Sequence, residues 1–201
     1  APVIGDVAME TISETVITES TVIGHNPSTP GGTGIGVGTS VLVTELSKIK
    51  EAKDVIVIVP DKVGFAQAAT LMNQAKENIK LAGAEKKITL LEGDANEILP
   101  TLSDQYDLVF MDAAKGQYGS FFQKVVPLLA PEGVLLCDNV LQDGDVLESR
   151  FAVTRRNRTI HARMREYLYE LKHDERLDTA ILNIGDGMSL SVKKTADKKD
   201  H

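Results

Sequence analysis

Apolar residues along the chain fall in short runs that alternate with segments of helical spacing. Residues 54–59, Asp-Val-Ile-Val-Ile-Val, form an apolar β-branched run that ends at Pro60, which is typical of a strand covered on both faces in a parallel sheet. The pattern continues in apolar runs at 88–91, 108–111 and 134–137 and in segments of helical spacing at 66–81 and 118–129. This alternation predicts an α/β fold with a doubly wound, mostly parallel sheet, right-handed crossovers and helices on both faces.

The last third of the chain changes pattern. From Thr154 to His173, apolar residues recur every three or four positions, which predicts a long amphipathic helix packed on the sheet. Residues 178–193 contain two short alternating runs joined at Gly185-Asp186-Gly187, a turn signal that predicts an antiparallel hairpin at the sheet edge.

Composition limits the function classes. The 201 residues suit a single domain over 1–201, and with 42% apolar and 25% charged residues no run approaches the length of a membrane span. The single Cys137 and the absence of a leader-like start favour the cytoplasm, and the sequence leaves open whether a native segment precedes Ala1. A net charge of −7 argues against nucleic-acid binding by the whole surface.

Acidic residues follow two of the predicted strands. Asp112-Ala-Ala-Lys115 comes after the run at 108–111, and Asp138-Asn139 comes after the run at 134–137. The carboxyl ends of parallel strands meet at one edge, so three oxygen donors there predict a hard-cation site suited to magnesium. The cation would favour the ionised form of a bound hydroxyl, and Lys115 is then the candidate proton acceptor. The alternative is that these acids only cap helices or end strands.

Three further motifs suggest a nucleotide-like cofactor. Gly32-Thr33-Gly34-Ile35-Gly36 is a glycine-rich loop ahead of a predicted helix at 39–49, and it would allow a cofactor to approach the backbone closely. Asp61 follows the strand at 54–59, where such folds often place an acid that accepts from ribose. Glu92-Gly93-Asp94-Ala95 can present a carboxylate and an amide to an adenine ring. A plain surface loop and two helix N-caps remain alternatives.

Taken together, the stretches at 75–83, 91–95, 106–118, 138–141 and 184–187 resemble the bacterial class I O-methyltransferases related to catechol and caffeoyl-CoA O-methyltransferases. The resemblance covers roughly residues 75–194. It implies a Rossmann-like methyltransferase fold, an S-adenosylmethionine cofactor, a divalent metal on Asp112, Asp138 and Asn139, a catalytic lysine at Lys115, and a homodimer. The expected cofactor contacts are Gly32, Thr33, Gly34, Gly36, Thr39, Asp61, Asp94, Ala95 and Asp112.

The N-terminal third departs from this family. Pro30 and Gly31 stand where the family has Glu-Ile before its glycine motif. Three functions therefore remain open. The first is methyl transfer to a metal-bound hydroxyl of a small catechol-like or hydroxylated aromatic acceptor, and the second is the same chemistry on a 5-hydroxyuridine in tRNA, a substrate of similar bacterial enzymes. The third is a non-catalytic binding module with a degraded cofactor loop.

Six arginines would contact tRNA phosphates in the second case, although a solvated helix face is the alternative explanation for them. They are Arg150, Arg155, Arg156, Arg158, Arg163 and Arg165.

Overall fold

The computed structural model describes residues 14–19, 54–59, 73, 76–77, 79–81, 83–112, 115–142 and 144–195. Its strands are β1 (Glu14–Glu19), β2 (Asp54–Val59), β3 (Ile88–Glu92), β4 (Tyr106–Asp112), β5 (Leu129–Cys137), β6 (Leu177–Leu182) and β7 (Met188–Lys193). Its helices are α1 (Ala95–Ile98), α2 (Tyr118–Leu128) and α3 (Arg158–His173). Single 3-10 turns cover Leu99–Thr101, Lys115–Gln117 and Asp145–Leu147.

All seven strands form one sheet in the order β3-β2-β1-β4-β5-β7-β6. The first five pair in parallel, and β7 is antiparallel to both β5 and β6. This arrangement confirms the predicted doubly wound sheet with its antiparallel C-terminal hairpin. Because β1 and β4 are neighbours at the centre, their carboxyl ends lie where the strand order reverses, which is the usual ligand position in such sheets.

The core lies between the sheet and the helices α2 and α3. Helix α2 buries Phe121, Phe122 and Val125 on one face, and Tyr167 of α3 contacts Phe122 with ring centroids 5.8 Å apart. Burial of these aromatic side chains stabilises the fold, since fully burying one large apolar side chain contributes about 1.5–3 kcal/mol. The helices therefore fix the central strands from one side.

Two element boundaries and one strand differ from the sequence expectations. The amphipathic helix begins at Arg158 and not at Thr154, because Asn157 N–H donates to Thr154 O in a turn that precedes the helix. Strand β5 begins at Leu129 and so includes Pro131 and Gly133, whereas the sequence predicted a helix to Leu129 and a strand only from Val134. Strand β1 was not predicted.

The first residues of β5 have an irregular backbone that only a residue without a side chain allows at Gly133. Glu132 has φ 64°, and a Cβ on Gly133 would lie 2.8 Å from Ala130 O and 2.9 Å from Tyr106 O. The pairing register between β4 and β5 shifts at this point. The Pro-Glu-Gly sequence therefore forms an irregularity inside a strand, although it looks like a turn.

None of the helices in the described part of the chain has the length and apolar character needed to cross a bilayer. The predicted helix at 39–49, residues 66–72 and the charged tail at 196–201 lie outside the described residues.

Candidate active site

Adjacent carboxyl ends of β4 and β5 bring the predicted acids together. The parallel register pairs Met111 with Cys137, so Asp112 and Asp138 are the next residues along the two strands. Asp138 N–H donates to Met111 O at 3.1 Å, which continues the pairing to the first residue beyond β5. On the other side of β4, the backbone of Glu19 at the end of β1 pairs with Asp112.

The turn at Asp138-Asn139 has a constrained backbone. Asp138 Oδ1 accepts from Asn139 N–H at 2.7 Å, and Asn139 has φ 57°, a left-handed conformation that asparagine tolerates better than most residues. Tyr118 OH donates to Asp138 O at 2.6 Å. Both Asp138 and Asn139 are partly buried, so the turn presents its oxygens from a fixed backbone.

Tyr118 and Tyr167 pack beneath the end of β5, next to this turn. Tyr167 OH donates to the Cys137 sulfur at 3.0 Å, and the rings of Tyr118 and Tyr167 meet edge-on with centroids 5.2 Å apart. Burial raises the pKa of the Cys137 thiol to about 12, and burial likewise raises the pKa of Tyr167 well above its ordinary value. Both groups are therefore neutral near pH 7 and act as structural contacts.

The segment after Asn139 rests on the tip of the β6–β7 hairpin. Val140 N–H donates to Gly187 O and Leu141 N–H donates to Asp186 O, each at 3.0 Å. Gly187 has φ 80°, and a Cβ there would overlap Leu141 Cγ and lie 2.7 Å from its Cδ1. Only glycine allows this close approach, so the hairpin tip holds the segment that follows the strand-end acids.

Lys115 begins the 3-10 turn that follows β4 and reaches the same hairpin tip. Its Nζ lies 3.4 Å from Asp186 Oδ2, and the two side chains are 33% and 17% exposed. The sequence expectations assigned Lys115 a role but gave it no partner, and they treated Asp186 only as part of a turn. Since the two residues are 71 positions apart, no local pattern predicts the pair.

Asp94 is the N-cap of α1, which the sequence analysis gave as the alternative to a cofactor contact. Its Oδ1 accepts from the Asn96 backbone N–H at 2.8 Å and from Asn96 Nδ2 at 3.2 Å. Ala95 is the first residue of α1 and is buried. The Asp94-Ala95 pair therefore places a carboxylate and the first backbone N–H of α1 beyond the end of β3.

The six arginines do not share one helical face. Arg158 Nε donates to Val153 O at 3.2 Å, Arg163 to Gly116 O at 3.4 Å, and Arg165 to Val146 O at 2.9 Å. The other three, Arg150, Arg155 and Arg156, are exposed in the loop before α3. The set therefore divides into three arginines that bond to the backbone and three on an exposed loop.

The described residues contain no group of three or more His, Cys, Asp or Glu side chains that could hold a metal ion. The predicted set comprises two carboxylates and one amide. Gly32, Thr33, Gly34, Gly36, Thr39 and Asp61 lie outside the described residues.

Comparison with known proteins gives two overlapping similarities. Residues 17–107 match the family model of the DD-reactivating factor swiveling domain. The chain is 54% identical over 72 residues to the propanediol dehydratase-reactivating factor large subunit of Citrobacter freundii, covering 36% of this chain and 12% of that protein. The chain thus spans about an eighth of the reactivating factors that it matches.

The second similarity is to methyltransferases. The chain is 27% identical over 161 residues to tapetum-specific methyltransferase 1 of Arabidopsis thaliana, covering 78% of this chain and 66% of that protein. A crystal structure of a candidate caffeoyl-CoA O-methyltransferase from Staphylococcus aureus matches with a TM-score of 0.69 and 25% identity over 90% of this chain and 76% of that one. These relatives and structural neighbours are class I S-adenosylmethionine-dependent O-methyltransferases.

Proposed function

We propose that this chain, whose fold and methyltransferase relatives are those of the class I O-methyltransferases, transfers a methyl group from S-adenosylmethionine to a hydroxyl of a small catechol-like or hydroxylated aromatic acceptor. The observation that carries the proposal is the register of β4 and β5. It sets Asp112 beside Asp138, with Asp138 N–H bonded to Met111 O at 3.1 Å, at the sheet edge where ligands bind.

A divalent cation such as Mg²⁺ fits the donors at this edge. Asp112, Asp138 and Asn139 offer only oxygen ligands on their carboxylate and amide side chains, which is the chemistry that Mg²⁺ prefers. The bond from Asn139 N–H occupies Asp138 Oδ1 and orients the second carboxylate oxygen. A cation held here would favour the ionised form of an acceptor hydroxyl.

Lys115 is the candidate proton acceptor. In the proposed reaction the O–H bond of the acceptor breaks, its proton moves to the neutral amine of Lys115, and the oxygen attacks the methyl carbon of the sulfonium. The methyl–sulfur bond breaks, and the thioether leaves neutral, so it needs no acid. The main work of the chain is then to hold donor and acceptor aligned.

Asp94 and Ala95 support an adenine site at the end of β3. The first-turn N–H of Ala95 is a donor, and the Asp94 backbone is fixed by the cap of α1. The glycine motif at 32–36, Thr39 and Asp61 complete the proposed cofactor contacts from the sequence alone.

The test is an assay with labelled S-adenosylmethionine, in which a catechol and undermethylated bulk tRNA are offered separately. We expect label on the catechol. Label on neither acceptor, with no binding of S-adenosylmethionine, would overturn the proposal.

A tRNA acceptor is the second candidate, and the exposed loop before α3 favours it. Arg150, Arg155 and Arg156 are exposed there together with Phe151, which is 87% exposed. Basic side chains beside an aromatic ring suit phosphates and an unstacked base. If tRNA is the acceptor, changing Arg155 and Arg156 to Glu should weaken its methylation and flatten the salt dependence by about one unit for each phosphate that is no longer bound. Methylation of a catechol should not change.

A binding module without catalysis is the third candidate. The similarity to the swiveling domain over residues 17–107 favours it, because this region includes the glycine motif and the preceding Pro30-Gly31, which depart from the methyltransferase pattern. Calorimetry with S-adenosylmethionine separates this candidate from the other two: a binding module would show no heat of cofactor binding.

A further inference from the structure

The tip of the β6–β7 hairpin contributes one charged side chain to the candidate active site. Asp186 Oδ2 lies 3.4 Å from Lys115 Nζ, and the Asp186 side chain is only 17% exposed. Lys115 is 33% exposed and follows β4 by three residues. The pair joins the turn that follows β4 to the tip of the β6–β7 hairpin.

The backbone of Asp186 is held in place independently of its side chain. Its carbonyl accepts from Leu141 N–H at 3.0 Å, and Gly187 N–H donates to Ile184 O at 3.0 Å to close the turn. Gly187 packs against Leu141 with no room for a side chain. The carboxylate therefore projects from a rigid turn that is bonded to the segment following Asp138 and Asn139.

Stability alone gives little reason for such a pair. Partly exposed ion pairs contribute only about 0–1 kcal/mol, because solvent screens them and two side chains lose conformational freedom. Lysine carries four rotatable bonds, so an unrestrained Lys115 would sample many positions of Nζ. A carboxylate on a fixed turn limits those positions to the neighbourhood of the strand-end acids.

We propose that Asp186 is a positioning residue for Lys115, an inference that rests on the proposed methyl transfer. In the reacting form, the neutral amine of Lys115 donates an N–H to this carboxylate, which directs the lone pair of Nζ toward the acceptor hydroxyl. The carboxylate stays ionised beside the ammonium that forms when the amine accepts the proton. The division of labour resembles that of an acid that orients a catalytic base without itself reacting. The hairpin turn thereby sets both the lysine and the segment after the cation ligands.

Asp186→Asn is the direct test, because it keeps the shape of the side chain and leaves the backbone bond to Leu141 available. We expect kcat to fall by about 10–100-fold, the range for partners that orient an active-site group, with KM for both substrates changed by less than about threefold. Asp186→Glu retains the carboxylate and should recover part of the loss. Asp178→Asn is the matched control, since Asp178 pairs with Lys194 at 3.2 Å on the same hairpin but is 78% exposed.

A double-mutant cycle separates positioning from a purely structural role. If Asp186 acts through Lys115, Asp186→Asn should have no further effect on kcat in a Lys115→Met chain. An equal fall in both backgrounds, an unchanged kcat, or a loss confined to KM would overturn the proposal.

NMR of the lysine ammonium groups gives a readout that does not depend on turnover. In the Asp186→Asn chain, the order parameter of the Lys115 ammonium should fall toward that of exposed lysines, and it should not fall in the Asp178→Asn chain. An unchanged order parameter overturns the positioning role. An unaltered chain that transfers no methyl group overturns the proposed function instead, and the NMR result still decides whether Asp186 orders Lys115.

Discussion

Replacing Gly187 by alanine tests whether the hairpin tip is seated on the segment that follows the strand-end acids. Gly187 has φ 80°, and its new Cβ would overlap Leu141 Cγ and lie 2.7 Å from Cδ1. A left-handed conformation costs an L residue about 1–2 kcal/mol. Overpacking of a filled site adds about 1–3 kcal/mol. Gly187→Ala should therefore lower the free energy of unfolding by about 2–5 kcal/mol.

Gly185→Ala is the matched control for the backbone contribution. Gly185 has φ 58°, and nothing lies within 4 Å of a Cβ built there, so this change should cost only the conformational strain. Each kcal/mol shifts the Tm of a domain of this size by about 2–4 °C, so the two variants should differ by roughly 2–12 °C. Trimming Leu141 to alanine in the Gly187→Ala chain should relieve the overlap with Cγ and Cδ1 and leave only the contact with its Cβ at 2.8 Å. The double mutant should therefore be more stable than the sum of the single changes predicts.

Thermal unfolding followed by circular dichroism measures these differences. Equal losses of Tm in the Gly185→Ala and Gly187→Ala chains would refute the close contact between the hairpin tip and Leu141. Strict additivity of the Gly187→Ala and Leu141→Ala changes would refute it as well.

Three further predictions concern the strand ends. Asp138→Ala should abolish nearly all methyl transfer by deleting an oxygen ligand, and a variant as active as the unaltered chain would remove Asp138 from the cation site. Lys115→Met should leave the Tm unchanged and lower turnover by about 10²–10⁴-fold, whereas unchanged turnover across pH 6–9 would show that Lys115 accepts no proton. Burial raises the pKa of Cys137 from 9.0 to about 12, so a thiol reagent at pH 8 should label the folded chain far more slowly than the unfolded chain. The unfolded thiol ionises first as pH rises between these values, so the free energy of unfolding should fall there, and Cys137→Ala should remove that part of the decline. Equal labelling of both states would contradict the burial.

The sequence was most informative where burial dictated the pattern. The run at 54–59 became β2, and the run at 108–111 falls inside β4, because strands covered on both faces need continuous apolar residues. The prediction of a hairpin over 178–193 was also confirmed. The glycines flanking Asp186 adopt the positive φ values that such a turn requires. The positions of Asp112 and Asp138 at adjacent strand ends followed directly from the order of the strands.

The central position of β1 in the sheet could not be predicted from the sequence. Its sequence, Glu-Thr-Val-Ile-Thr-Glu, has four consecutive β-branched residues, which are typical of a strand. Its place at the centre of the sheet depends on pairing with both β2 and β4, and no local pattern encodes that position.

Polar contacts between residues far apart in the chain could likewise not be predicted from the sequence. The Lys115–Asp186 pair and the bond from Tyr118 OH to Asp138 O join residues that are 71 and 20 positions apart. The six arginines were interpreted either as phosphate contacts or as a solvated helix face, but α3 begins only at Arg158 and three of the arginines bond to backbone carbonyls.

Methyl transfer with and without a divalent cation tests the central claim most directly. The chain would be incubated with labelled S-adenosylmethionine and a catechol, once with Mg²⁺ and once with excess chelator. We predict transfer of label to the catechol with Mg²⁺ and its loss in the chelator, with recovery when Mg²⁺ is restored. Equal transfer under both conditions would contradict the cation site at Asp112, Asp138 and Asn139, and no transfer under either condition would contradict the methyltransferase assignment itself.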